Sequence, residues 1–424
     1  MREMKDSGVK WVGEIPSSWK VYKVKQIADS NNDVLPENYE EEQEIDYIEI
    51  GSVTYEHGVR TTEKMKFGNA PSRARRIVHN GDTIISTVRT YLKAIAYIDD
   101  SLADKIVSTG FSVVTPHKDV VAKFLYYALS THSFISNVEA HSVGISYPAI
   151  NNTNLMDLKI VLPMQREQIQ IASYLDAKCS KIDEIIEKQQ AIIEKLKEYK
   201  FSIITEAVTK GINPDVELKD STIDMCEQIP VHWSISQNRY LFSLRDEKNY
   251  KSLEEVRLLS LYTDLGVFPH GEQEERGNKA VKAEGYKVVY ENDIVVNIIL
   301  AWMGAIGRSA YDGVTSPAYD IYKPNENVCS RYYHYLYRTK PFSAECYKYG
   351  RGIMAMRWRT YSSEFKSIKV PVPPYIEQCQ IADYLDSKCE MLDKTIADRN
   401  KAIDKLQEYK KSLIYEVVTG KKEV

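Results

Sequence analysis

The chain has 424 residues, 43% hydrophobic and 27% charged, which excludes both a single small domain and a disordered or collagen-like polymer. Its formal net charge of −4, taken as a sum, argues against a nucleic-acid binder that works through bulk positive charge. Tyrosine is the outlier, at 30 residues against nine Phe and five Trp, and hints at large surfaces of mixed polarity.

The opening MREMKDSGVKWVG has no apolar core of leader length. Residues 29–56 then carry ten acids and no Lys or Arg, a formal −10, whereas residues 60–93 carry eight bases against two acids, a formal +6. Short β-rich runs at Asp46–Ile50, Thr83–Val88, Ala94–Ile98 and Phe111–Thr115 predict strands, with Asn80-Gly81-Asp82 as a turn signal. Asp119–Phe134 predicts a helix.

After Pro163, Leu175, Cys179, Ile182, Ile186, Gln189, Ile193, Leu196, Lys200 and Ile203 alternate by four and three, a heptad seam on a long helix. Ile185, Ile192 and Tyr199 lie beside that seam and are expected to widen its buried stripe. About 45 residues at about 1.5 Å each predict a helix of roughly 65 Å. Pro214-Asp215 and Glu217-Leu218-Lys219 mimic a nuclease string, but with no strand between the acids the segment reads as a linker.

Ile294–Gly307 is the longest apolar run. Broken by Asn297 and by glycines, and short of the roughly 20 residues of a membrane span, it reads as a buried strand and turn. A helix is predicted around Arg331–Phe342. Residues 331–369 hold nine bases against Glu345 and Glu364, a formal +7, interleaved with Tyr347, Tyr349, Trp358 and Tyr361. A second seam follows Pro373-Pro374: Leu385, Cys389, Leu392, Ile396, Arg399, Ile403, Leu406, Lys410 and Leu413.

These elements recur because the chain is duplicated. Pro163–Thr209 aligns with Pro373–Thr419 at a shift of 210 without a gap, with 24 of 47 positions identical, where chance gives roughly three. Fainter matches lie upstream, such as Ile15-Pro16 and Trp19 with Ile229-Pro230 and Trp233, and Gly81–Ile85 with Asn292–Val296. The fold class expected is α+β, with two globular α/β parts joined by two long helices. Internal duplication implies pseudo-two-fold symmetry, and helices related in that way pack antiparallel. The domains expected are residues 1–162, a helix over 163–211, residues 212–372, and a helix over 373–424.

Each globular part thus owns a basic stretch, and two such stretches on a shared spacer suggest a bipartite reader of double-stranded DNA. Arginine contacts phosphates and is the commonest reader of guanine edges. The candidate contacts are Arg73, Arg75, Arg76, Arg89, Tyr91 and Lys93 in the first part. In the second they are Trp302, Arg351, Arg357, Trp358 and Arg359. A coiled-coil scaffold for other proteins explains the helices and tyrosines but gives no reason for twin basic stretches. The six cysteines form no CxxC pair and no His cluster accompanies them, so neither a metal nor a disulfide framework is expected. Reduced thiols and the lack of a leader or span suggest a cytoplasmic chain away from membranes.

The phrases SGVKWVGEIPSSW, NGDTIISTVRTYLKAI, DLKIVLPMQREQIQIASYLDAKCSKIDEII and SIITEAVTKGI, with their second-copy equivalents, resemble the specificity subunit of type I restriction-modification enzymes. The resemblance implies that each globular part is a target recognition domain reading half of a split DNA site. It implies that the helices set the gap and present docking surfaces to two methyltransferase subunits, to which restriction subunits add. S-adenosylmethionine, ATP and magnesium belong to those partners, and the specificity subunit binds no cofactor and has no catalytic site. Consistent with this, Val372-Pro373-Pro374-Tyr375 has Val where an adenine methyltransferase needs Asn or Asp, and it lies where a helix should start. A related two-subunit system with a fused cleaving and methylating partner would present the same sequence features.

Overall fold

The structure is a computed structural model that describes residues 2–263, 265–271, 283–352 and 358–424. The chain forms two compact units: residues 1–189 with 400–424, and residues 190–399. Both long helices are therefore shared, each giving one half to either unit.

In the first unit, β1 (Lys20–Lys23), β2 (Ala28–Ser30), β3 (Glu44–Ile48), β4 (Glu63–Lys66), β5 (Ala74–Ile77), β6 (Thr83–Ser86), β7 (Ile95–Tyr97), β8 (Ile106–Ser108) and β9 (Phe111–Pro116) precede the helices α1 (Ala122–Leu129) and α2 (His132–Ala140). β10 (Lys159–Leu162) then pairs antiparallel with β1 and leads into α3 (Gln165–Lys210). The other eight strands form two sheets, ordered β7-β6-β9-β2 and β4-β3-β8-β5. All four predicted strands are present. The single helix expected over Asp119–Phe134 is instead two helices. The turn after Leu129 is occupied by Ser130 and Thr131, and the Thr131 hydroxyl caps the second helix by accepting from the Phe134 amide.

The second unit repeats one of these sheets and the helix pair; in place of the other four-stranded sheet its described residues hold two-stranded pairs, Leu259–Tyr262 with Gly266–Pro269 and Lys287–Val289 with Gly313–Thr315. β11 (Ser234–Gln237), β12 (Phe242–Arg245), β13 (Ile294–Asn297), β14 (Ile306–Arg308) and β15 (Tyr319–Pro324) precede α4 (Ser330–Tyr337) and α5 (Lys340–Tyr349). β16 (Lys369–Val372) pairs antiparallel with β11 and leads into α6 (Tyr375–Val418). The sheet order β12-β15-β13-β14 matches β2-β9-β6-β7 strand for strand. The unexpected break recurs too: the helix expected around Arg331–Phe342 is interrupted, with Thr339 capping α5 as Thr131 caps α2. The apolar run from Ile294 is the expected buried strand and turn. Among the described residues no helix is long and apolar enough to cross a membrane.

The helices run antiparallel within each unit. In the first, Arg2 joins Glu167 at the start of α3 to Glu423 just past α6, and Asp183 accepts from Lys410 at 2.7 Å. In the second, Lys200 donates to Asp393 at 2.6 Å, and Gly211 lies against the Glu377 carboxylate. A shift of 210 converts Asp183 and Lys410 into Asp393 and Lys200 with the roles exchanged, so the two pairs are one contact written twice. It also explains a lysine at a seam position: the stem stays along the seam and the ammonium reaches an acid on the facing helix. The seam residues Leu175, Ile182, Ile193, Leu385, Leu392 and Ile403 are buried, and Ile186, Gln189, Leu196, Ile396, Arg399 and Leu406 are partly so.

Two expectations are corrected. Ile185, Ile192 and Tyr199 are 44%, 36% and 57% exposed, because a pair of helices covers one seam and leaves the neighbouring position turned outward. The tyrosines do not serve surfaces alone. Tyr322, Tyr332, Tyr333 and Tyr337 form the centre of the second core, where Tyr332 donates to the Val208 carbonyl and Tyr337 to Asn238. Tyr322, Tyr332 and Tyr337 are tolerated because their hydroxyls find acceptors, whereas the buried Tyr333 hydroxyl finds none among the described residues.

Each globular part is tied to its long helix by a buried glutamine. Gln168 accepts from the Val121 amide at 2.7 Å and donates to the Pro163 carbonyl at 2.9 Å. Gln378 does the same with the Cys329 amide and the Pro373 carbonyl, both at 2.9 Å. Beside them Glu167 and Glu377 accept from the indoles of Trp19 and Trp233. Both glutamines are about 1% exposed, so truncation strands a buried amide at a cost of about 1–3 kcal/mol. Gln168→Leu and Gln378→Leu should each lower thermal stability measurably, whereas Asp393→Ala, which breaks an exposed ion pair, should change it by less than about 1 kcal/mol.

Candidate nucleic-acid interface

Charge that is segregated along the chain is partly recombined by the fold. β3, from the acidic stretch, lies antiparallel to β4, from the basic one, with Glu44 opposite Lys66 and Asp46 opposite Lys64. Lys66 pairs with Glu42, and Lys105 with Asp46. Cross-strand pairs of opposite charge suit a ladder, and they engage Lys64 and Lys66 of this stretch.

Downstream of β4, Arg73 is exposed ahead of β5, and its carbonyl accepts from Thr109. Arg75 lies over the Phe67 ring at 4.7 Å. Arg76 is half-buried on β5, and burial holds its guanidinium pKa below the usual value. Arg89, Tyr91 and Lys93 belong to one turn after β6. Arg89 and Lys93 flank it with left-handed backbone, φ 50° and 53°. That conformation costs a non-glycine residue energy and persists only where its surroundings impose it. Here they do: Thr90 is buried, its amide donates to Pro148 and its hydroxyl to Ser142. Lys93 lies 3.7 Å from Glu139, and Tyr91 is 52% exposed.

The partner of this turn is a hairpin that sequence reading missed. Val143 and Ala149 exchange both backbone hydrogen bonds, Ala149 bridges to Val88, and the Ile150 amide donates to Thr87. The Arg89 guanidinium lies 5.3 Å from the centre of the Tyr147 ring. The hairpin therefore presents Arg89 on an aromatic platform.

The second unit builds the same pair of loops from different residues. The turn after β13, Ala301–Met303, closes on Gly304 at φ 87°. Its companion loop is bridged by Arg351 and Arg359, which exchange backbone hydrogen bonds at 2.9 Å, and Thr360 donates to Ile298 as Ile150 does to Thr87. Trp302, Tyr347 and Trp358 lie in series, with Tyr347 and Trp358 stacked at 4.8 Å. Trp358 donates to the Tyr347 carbonyl, and Arg351 pairs with the buried Glu364 carboxylate. Two buried donors, Trp302 Nε1 and Arg359 Nε, find no acceptor among the described residues, and a ligand oxygen could satisfy either. The structure thus gathers four of the five second-unit candidates into one cluster. Arg357 lies outside the described residues.

The signal for the missed hairpin was in the duplication. Val143-Gly144-Ile145 aligns with Arg351-Gly352-Ile353, and the first loop is two residues shorter before Ile150 and Thr360. Elsewhere, Lys219 of the nuclease-like string donates to the carbonyls of Val231 and Trp233 at 2.7 Å, a structural tie. All six cysteines are free thiols, and no metal-binding cluster occurs among the described residues.

Residues 16–198 match the family model described as the type I restriction modification DNA specificity domain. The chain is 25% identical over 436 residues to a putative type I restriction enzyme MjaX specificity subunit of Methanocaldococcus jannaschii, covering 97% of this chain and 95% of that one. It is 27% identical over 194 residues to the MjaIX specificity subunit of the same organism, covering 44% and 43%. In three dimensions it superposes on a chain from a study of complex assembly and conformational transition of the type I R-M system. The TM-score is 0.73 at 17% identity, covering 96% of this chain and 99% of that one. The HsdS subunit of Thermoanaerobacter tengcongensis gives a TM-score of 0.53 at 18% identity, covering 96% and 98%.

Two substitutions test the loop geometry. Tyr147→Ala removes the platform beneath Arg89 and should weaken DNA binding by about 1 kcal/mol. Arg359→Ala should relax preference at one base position by about 1–3 kcal/mol if it reads a base, or weaken all sequences alike if it contacts phosphate. Binding assays on a panel of single-base variants of the site separate these outcomes.

Proposed function

We infer that this chain belongs to the family of specificity subunits of type I restriction-modification enzymes and acts as the non-catalytic DNA-recognition subunit of such a complex. The observation that carries the reading is the repetition of one loop pair on two matched sheets, with different side chains in each copy. Two sheets of equal strand order bearing different contact residues suit two different half-sites, and Arg89, Tyr91 and Lys93 on one and Trp302, Arg351, Trp358 and Arg359 on the other are the groups assigned to them. Arg73, Arg75, Arg76 and Arg357 are assigned to the flanking DNA contacts.

Methyltransferase and restriction subunits are the protein partners. The duplicated helices favour two methyltransferase subunits, one per copy of the repeated surface, with S-adenosylmethionine, ATP and magnesium supplied at the partners' sites. The chain acts in the cytoplasm, where host DNA lies. The relatives are specificity subunits of type I enzymes, so the fused-partner and scaffold alternatives are not favoured.

Co-expression with the methyltransferase subunit, followed by mapping of methylated adenines in the host genome, should return a split motif with a fixed gap. A continuous motif, or none, would overturn the reading. Affinity of the assembled complex should fall steeply with salt, and Arg73→Ala or Lys93→Ala should each reduce the salt slope by about one if its partner is a phosphate.

A further inference from the structure

We propose that the hairpin Val143–Ala149 of the first unit reads thymine methyl groups in its half-site, with Val143 and Ile145 as specificity-determining residues. This rests on the DNA-recognition reading above and adds the class of base that one loop selects.

The hairpin is ordered without being buried. Val143 and Ala149 bond in both directions, Ala149 bridges to Val88, Ile150 is tied to Thr87, and Pro148 accepts from Thr90. Gly144 sits at φ 115°, where a Cβ would come within 3.1 Å of the Tyr147 carbonyl, so the bend requires glycine. On this frame Val143 is 80% exposed and Ile145 is 103% exposed. A backbone held by so many bonds that nonetheless turns two β-branched apolar side chains to water is built for an apolar contact outside the chain.

Its neighbours decide the partner. Arg89 is stacked on Tyr147 of the same hairpin, and Lys93 stands at the other end of the adjoining turn. Cations beside an exposed apolar tip suit a duplex, in which phosphates flank the groove and the thymine methyl is the one apolar group on a major-groove edge. The corresponding loop of the second unit carries Arg351 and Arg359 where the first carries Val143 and Ala149, so the two copies present different chemistry from the same place in the fold.

Once the split site is mapped, each thymine of the first unit's half-site can be replaced by deoxyuridine, which deletes the methyl group and nothing else. The assembled complex should lose about fourfold in affinity per contacted methyl, the worth of one buried methyl group. Val143→Ala or Ile145→Ala should make the complex indifferent to the same replacement while leaving the other half-site's preferences intact. Both side chains lie outside the core, so the variants should fold.

Three results would overturn the proposal. The wild-type complex could be insensitive to deoxyuridine throughout that half-site. The variants could lose the same factor as the wild type. Or they could fail to assemble with the methyltransferase subunit, which would assign the hairpin to a protein contact. Failure of the complex to bind any split site would instead defeat the functional reading itself.

Discussion

The rest of each unit depends on one buried glutamine at the first turn of a long helix. Gln168 and Gln378 each bridge the amide that opens the helix pair of the globular part to the carbonyl that ends its last strand. Buried amides without partners are expensive, so these bonds specify a single orientation of sheet and helix. The Arg89 and Ala301–Met303 turns leave an interior strand of that sheet, β6 or β13. Their position relative to the helix is therefore set by a hydrogen-bonding requirement as well as by the apolar seam.

That division of labour lets the loops vary. Strand order, capping threonines, glutamine and indole contacts are the same in both units, whereas one loop pair carries Val143, Ile145 and Tyr147 and the other Arg351, Trp358 and Arg359. The packing contacts lie in the repeated parts, and the side chains assigned to recognition lie in the divergent ones. The left-handed Arg89 and Lys93 fit the same logic, since strain at a binding turn is tolerable where a rigid sheet supports it.

Electrostatics shows why a chain total misleads. The −10 and +6 stretches look like two separate features along the sequence, yet β3 and β4 lie side by side and set Glu44 opposite Lys66 and Asp46 opposite Lys64. Downstream of them lie Arg73, Arg75, Arg76, Arg89 and Lys93, of which Arg75 and Arg89 are held on aromatic rings. Pairing engages Lys64 and Lys66, and no composition statistic records which bases pair.

The sequence by itself determined the duplication, the two helices and their seams, the main strands and the family resemblance, because periodicity and self-similarity are local properties of a string. It also singled out Trp358 and Arg359, where aromatic and basic residues crowd along the chain, whereas only the fold brought Trp302 beside Tyr347 and Trp358. Only the tertiary structure decided that Ile185, Ile192 and Tyr199 face outward, because a side chain's burial depends on whether another element covers it. Only the tertiary structure placed Tyr332, Tyr333 and Tyr337 in a core, brought the acidic strand against the basic one, and joined the Arg89 turn to a hairpin about 55 residues later in the chain. Those outcomes rest on contacts between distant segments, which the closing of the sheets creates and no local pattern encodes.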